Sequence, residues 1–96
     1  LTQFSRVETA IEDARVANAS VLAPVELRIA EESLAVARGL QSKRGEGAQH
    51  ALELAAVNAE LARVKSTTAD LRQQVSRAER ELNALKTQLL KPEQGE

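Results

Sequence analysis

The run Gln49–Leu90, QHALELAAVNAELARVKSTTADLRQQVSRAERELNALKTQLL, decides the fold. Residues spaced alternately by four and three along it read His50, Leu54, Val57, Leu61, Val64, Thr68, Leu71, Val75, Ala78, Leu82, Leu85 and Leu89, and all but His50 and Thr68 are apolar. Neither Gly nor Pro interrupts the run. This is the pattern of one long helix, roughly 60 Å at about 1.5 Å per residue, with a continuous apolar seam. A seam that repeats every seven residues favours left-handed packing against another helix.

Composition limits what the helix can belong to. A chain of 96 residues is one domain at most. Phe4 is its single aromatic residue, so Ala, Leu and Val must form a thin core. Ala and Leu are strong helix formers, and small Ala faces let helices approach closely. The net charge is −1, from 13 basic and 14 acidic residues that are thoroughly mixed. Nucleic acid is therefore not an expected partner: there is no basic stripe for phosphates and no aromatic platform for bases. The chain has no cysteine, which excludes disulfides, thiolate catalysis and cysteine metal sites. No apolar run approaches the ~20 residues that span a bilayer, so no transmembrane segment is expected. The sequence starts at Leu1 and contains no Met, which reads as a processed chain or an excised segment.

Upstream of the long helix, two shorter ones are expected. The first opens at Ser5, where Ser5 and Glu8 have capping-box spacing and Phe4 stands as a hydrophobic staple. Its apolar face runs through Val7, Ile11, Ala14, Ala17 or Asn18, and Val21. It ends near Ser20 or at latest Leu22, because Leu22-Ala23-Pro24 breaks it. Pro24 suits the first turn of the next helix, and Glu26 complements the positive end of that helix dipole. The second helix shows Leu27, Ala30, Leu34 and Ala37, with Gln41 as an optional fifth position, and Ile29, Val36 and Leu40 widen the stripe. Arg28 and Glu32 are spaced for an ion pair on its outer surface. Ser42-Lys43-Arg44-Gly45-Glu46-Gly47 is a turn. Its Lys precedes the glycines and no strand leads into it, so it is not a phosphate loop.

The third helix begins near Gly47 or Ala48. Its first half is apolar on two adjoining faces: Leu54, Val57, Leu61 and Val64 on one, and Ala48, Ala51, Leu52, Ala55, Ala59 and Ala62 on the other. So broad a surface expects two helical neighbours. Beyond Ala69 only a narrow seam remains, of Leu71, Val75, Ala78, Leu82, Leu85 and Leu89, in a polar surround. The shorter helices run out near Thr68, leaving that part of the seam with no partner in the chain. Pro92 and Gly95 end the helix.

The fold expected is all-α, an antiparallel three-helix arrangement over about 5–20, 24–43 and 48–90. It divides into a three-helix bundle at 1–68, a coiled-coil extension at 69–90 and a polar tail at 91–96. An isolated helix of the extension's length is marginal in water, so a second copy of the chain is the economical partner. A parallel pair would set Glu81 of one copy near Lys86 of the other.

No catalytic constellation emerges. His50 is the only histidine, and with no second His or Cys it makes no metal site. The carboxylate pairs Glu12/Asp13 and Glu31/Glu32 are adjacent in sequence and point to different helix faces. Asn18-Ala19-Ser20 fits a glycosylation acceptor, a pattern common by chance. Ser66-Thr67-Thr68 reads as a change of packing regime rather than a nucleophile. Neither catalytic, cofactor-binding nor metal-binding residues are assigned, and an enzyme is not expected.

One element is more specific. Ala10, Ala14 and Ala17 lead into Leu22-Ala23-Pro24-Val25-Glu26-Leu27, then Ala30, Leu34 and Ala37; after a turn come Ala48, Ala51, Leu52, Ala55, Ala59, Glu60, Leu61 and Ala62. Over roughly residues 7–70 this resembles an alanine-rich helical domain family of bacterial envelope proteins, many of them lipoproteins. The function of that family is uncharacterised, and its domain often precedes an OmpA-like peptidoglycan-binding domain. The resemblance implies a periplasmic or outer-membrane-associated spacer or adaptor and supplies no catalytic residues. The function expected is therefore a non-catalytic structural module that self-associates, as a homodimer, through Leu71, Val75, Ala78, Leu82, Leu85 and Leu89, with Glu81 and Lys86 alongside. Two alternatives are a module whose seam docks a helix of a different protein, such as another envelope protein, and a membrane-surface helix, which the narrow seam and mixed-charge flanks disfavour.

Overall fold

The structure, a computed structural model, describes residues 2–41 and 46–90. Among them it is all-α: α1 (Thr2–Val16), α2 (Ala19–Leu22), α3 (Pro24–Gln41) and α4 (Glu46–Leu90). The long third helix expected from the heptad pattern is α4, a single uninterrupted element of 45 residues. Residues 42–45, most of the expected turn, and the Pro92–Gly95 stop signal lie outside the described residues.

Ion pairs report the directions of the helices. Glu8 pairs with Arg38 and Arg15 with Glu31, so α1 and α3 run antiparallel. Lys65 of α4 pairs with Glu26 in the first turn of α3. At the other end, a Cβ added at Gly47 would lie 3.1 Å from Leu40 Cδ1, so the end of α3 packs tightly on the start of α4. Hence α3 and α4 are also antiparallel, and α1 runs alongside α4 in the same direction. Val7 accordingly sits by Gln49 and Leu52, and Val16 by Thr67 and Asp70.

The core is thin and made mostly of alanine. Val7, Ile11 and Ala14 come from α1, Ala19 from α2, Leu27, Ala30, Leu34 and Ala37 from α3, and Ala51, Leu52, Ala55, Ala59 and Ala62 from α4. Phe4 packs half-buried against this cluster. A methyl side chain loses no rotamer freedom on burial and lets helix axes close up, which suits a chain with one aromatic residue.

Several local expectations are corrected. Ser5 lies inside α1, which already begins at Thr2, so it cannot act as an N-cap. The first break falls at Ala17-Asn18 rather than after Ser20: Asn18 adopts φ 69°, the only non-glycine residue with positive φ among those described. Asn tolerates the left-handed region better than most residues and often ends a helix in it. The Asn18 N–H donates to Arg15 O at 2.9 Å, while Asn18 O accepts from Leu22 N at 3.0 Å to open α2. This kink turns Val21 out of the core and into solvent, whereas Ala19 takes the buried place. Ala23 then bridges the helices, donating to Ala19 O at 2.9 Å and accepting from Leu27 N at 3.1 Å. Pro24, with no N–H to offer, starts α3 without cost. Val36 is exposed, and Ile29 and Leu40 are half-buried, so the core stripe of α3 is narrower than expected.

Ser66 closes the core at the α2 end. It is fully buried, and its hydroxyl has no hydrogen-bond partner among the described residues. An unmet buried hydroxyl carries an uncompensated desolvation cost. Ser66→Ala should therefore raise stability by about 1 kcal/mol, read as a higher urea midpoint at unchanged slope. Asn18→Val should lower stability by about 1–2 kcal/mol because a β-branched residue resists positive φ, while Asn18→Gly should stay within a few tenths. Equal effects of the two Asn18 variants would show that the kink is not held at that residue.

Candidate functional site

The features that could recognise a partner lie on α4. Around a helix at about 100° per residue, the stripe of Leu52, Ala55, Ala59, Ala62 and Ser66 is centred about 160° from the seam of Leu54, Val57, Leu61 and Val64. The two faces expected to adjoin are thus nearly opposite. Both neighbours, α1 and α3, pack on the alanine stripe, and the seam faces solvent. Large apolar side chains are left bare from the first half onward: Leu54 and Leu61 are each 45% exposed, close to Leu71 at 54% and Leu82 at 51%. Ala56, Val57, Glu60, Leu61 and Val64 line a shallow, almost wholly apolar trough on this face. The expectation that two neighbours would cover both faces is therefore corrected. The small alanine side chains admit both helices to one stripe.

From Asp70 to Leu90 every residue is exposed. Leu71, Val75, Ala78, Leu82, Leu85 and Leu89 lie there on one face, exposed, with none of the described helices covering them. Glu81 and Lys86 are also exposed and stand on opposite flanks of that face. Covering apolar surface stabilises by about 25 cal/mol per Å², so a continuous row of half-bare Leu and Val is a strong driver of association. Scattered single apolar residues would not be. His50 is exposed at the start of α4. Among the described residues no three His, Cys, Asp or Glu side chains come together in a group that could hold a metal. No helix among them is long and apolar enough to cross a membrane.

Fixed charges tie this surface to the bundle. Lys65 Nζ donates to Glu26 Oε2 at 2.8 Å, with the Glu26 side chain largely covered. The Lys65 hydrogen bond, helped by the backbone N–H of Glu26 itself, holds the Glu26 carboxyl below its ordinary range. Two residues before Lys65, Arg63 Nε donates to Glu60 Oε2 at 3.1 Å, which lowers the Glu60 carboxyl and raises the Arg63 guanidinium. On α1, Arg15 is raised by its bonds to Glu31 and then Glu12. In the sequence Glu26 stands out only through the helix dipole. Its partner lies 39 positions away in the chain, beyond the reach of any local pattern. The expected Arg28–Glu32 pair is not among the ion pairs of the described residues.

The profile of the family described as Domain of unknown function (DUF4398) matches residues 2–88. The chain belongs to that family. Neither a curated protein nor a solved structure matches it. The DUF4398 match spans all four helices, so the exposed half of α4 is part of the family's domain as much as the alanine-rich bundle is.

The Glu26–Lys65 pair makes a pH prediction with a definite sign. Because the folded Glu26 carboxyl lies below its unfolded value, its contribution is fully present above the ordinary carboxylate pKa, about 4.3. It is lost as pH falls through the lowered value. Between about pH 5 and pH 3 the native chain should lose stability more steeply than Glu26→Gln, and the two should converge at the acid end. Parallel acid limbs in urea titrations would remove the pair from the stability of the DUF4398 fold.

Proposed function

We propose that this DUF4398 chain is a non-catalytic helical module of a bacterial cell-envelope protein, acting as a spacer or adaptor through coiled-coil self-association. The observation that carries the reading is the bare heptad seam of α4, above all Leu71, Val75, Ala78, Leu82, Leu85 and Leu89, on a helix that outruns its bundle. A rigid rod about 1.5 Å long per residue holds whatever is attached to its two ends apart. Pairing two rods removes the apolar cost of exposing the seam. The periplasmic or outer-membrane-associated location is supported by the resemblance of the Leu22–Leu27 element and the alanine spacing to envelope proteins. No residue is assigned a catalytic, cofactor or metal role.

Light scattering of the full chain over a range of concentrations tests the reading. A dimer is expected, and Leu82→Glu with Leu85→Glu should weaken it by at least about tenfold, since each buried carboxylate lacks a partner. A chain that stays monomeric at high micromolar concentration would overturn self-association. Gain of helicity only on adding an envelope extract would then favour docking of a different protein's helix.

A further inference from the structure

The bare face of α4 is longer than the overhanging half. The seam runs without a break in its spacing from Leu54 to Leu89, and Leu54, Val57, Leu61 and Val64 of its first half are exposed too, though less than most of the second. Because α1 and α3 occupy the far side of α4, a second helix could follow the seam alongside the bundle as well as beyond it. In heptad terms Leu54 takes position a and Val57 position d. The residues preceding each a position form one flank: Glu53, Glu60, Thr67, Gln74, Glu81 and Gln88. Those following each d position form the other: Asn58, Lys65, Arg72, Glu79 and Lys86. The first flank contains no cation. The second carries three cations and one anion.

This asymmetry selects an orientation. In a parallel, in-register pair each flank faces the opposite flank of the partner copy, offset by five residues. Glu60 then meets Lys65 of the second copy, and Glu81 meets its Lys86. The remaining facings are Glu53 with Asn58, Thr67 with Arg72 and Gln74 with Glu79, none of them between like charges. By symmetry each attractive contact occurs twice. Antiparallel pairing sets each flank against its own kind. The acidic flank, having no cation, can then form no ion pair in any register.

The bundle supports the same arrangement. Glu26 anchors the Lys65 ammonium at the edge of the seam, and an ammonium has further protons to donate to a second carboxylate. Asn58 Nδ2 is engaged by Leu54 O at 2.9 Å, so its amide nitrogen is satisfied on its own helix. Thr68, half-buried, takes the a position midway along the seam, where parallel register sets it against its own copy.

We propose that two copies of this chain pair in parallel and in register along the whole seam from Leu54 to Leu89, with Glu60–Lys65 and Glu81–Lys86 contacts between copies. The bundles then lie side by side on the outside of a two-stranded coiled coil, not at the far ends of an overlap. This rests on the self-association reading above and extends it to the bundle half of α4.

The chain has no native cysteine, so single cysteines report the geometry directly. Val57→Cys and Leu85→Cys are made in the full chain, each at an exposed d position, with Gln73→Cys on the outer face as control. Under mild oxidation both d-position variants should form disulfide-linked dimers at least about tenfold faster than the control, because paired d positions bring Cβ atoms within disulfide reach. Linking at residue 85 without linking at residue 57 would overturn the extended seam and leave self-association through the overhang intact. If neither variant links with itself while light scattering still shows a dimer, the parallel register is overturned and self-association survives. A monomer in light scattering would overturn both.

Discussion

The whole structure depends on one stripe of small side chains on α4. Ala55, Ala59 and Ala62 have no exposed surface, and neither do Ala14 of α1, Ala19 of α2, and Ala30 and Ala37 of α3. Methyl groups meeting across the helices let the axes come close enough for Val7, Ile11, Leu27, Leu34 and Leu52 to fill the remaining space. A core built this way tolerates little enlargement, because an added methylene has nowhere to go. It also needs few large residues, which leaves most of the Leu and Val of α4 free for its other side.

That division of labour is the physical basis of the proposed function. A helix whose two opposite faces are both apolar can be bonded to its own chain on one and to another chain on the other. The small face suits close packing of short helices; the large face, with Leu and Val in heptads, suits knobs-into-holes packing of long ones. Charge follows the same plan. Arg15–Glu31, Arg38–Glu8 and Lys65–Glu26 tie helices of the bundle to one another. The residues flanking the seam on the overhang face solvent. Exposed pairs of this kind contribute little each. Their value lies in setting direction and register among arrangements that bury similar apolar area.

Much of this was legible in the sequence. The unbroken seam of Gln49–Leu90, the Pro24 start of α3 and the alternating Leu27, Ala30, Leu34 and Ala37 all appear as expected, because each is a local pattern with a local cause. The errors share a cause as well. Ser5 and Glu8 form a valid capping box on paper, but capping matters only where the helix starts, and upstream residues extend it. The break at Asn18 is hard to read because Asn in a helical run carries only a weak signal, whereas Leu22-Ala23-Pro24 carries a strong one. Val21 and Val36 fit apolar periodicity, yet periodicity does not say how wide a stripe the neighbours will cover.

The sequence by itself determined that the chain is helical, that its third segment is one long rod, and that the rod bears a heptad seam with no large aromatic core to join. These follow from propensity and spacing, which act over a few residues. Only the tertiary structure decided which face of the rod the chain keeps for itself. Both apolar faces of residues 48–66 satisfy the hydrophobic pattern equally. The choice between them depends on how closely two further helices can approach, and that is set by side-chain volume on three elements at once. Alanine against alanine allowed both α1 and α3 onto one stripe, and the larger side chains of Leu54–Val64 were left on the outside.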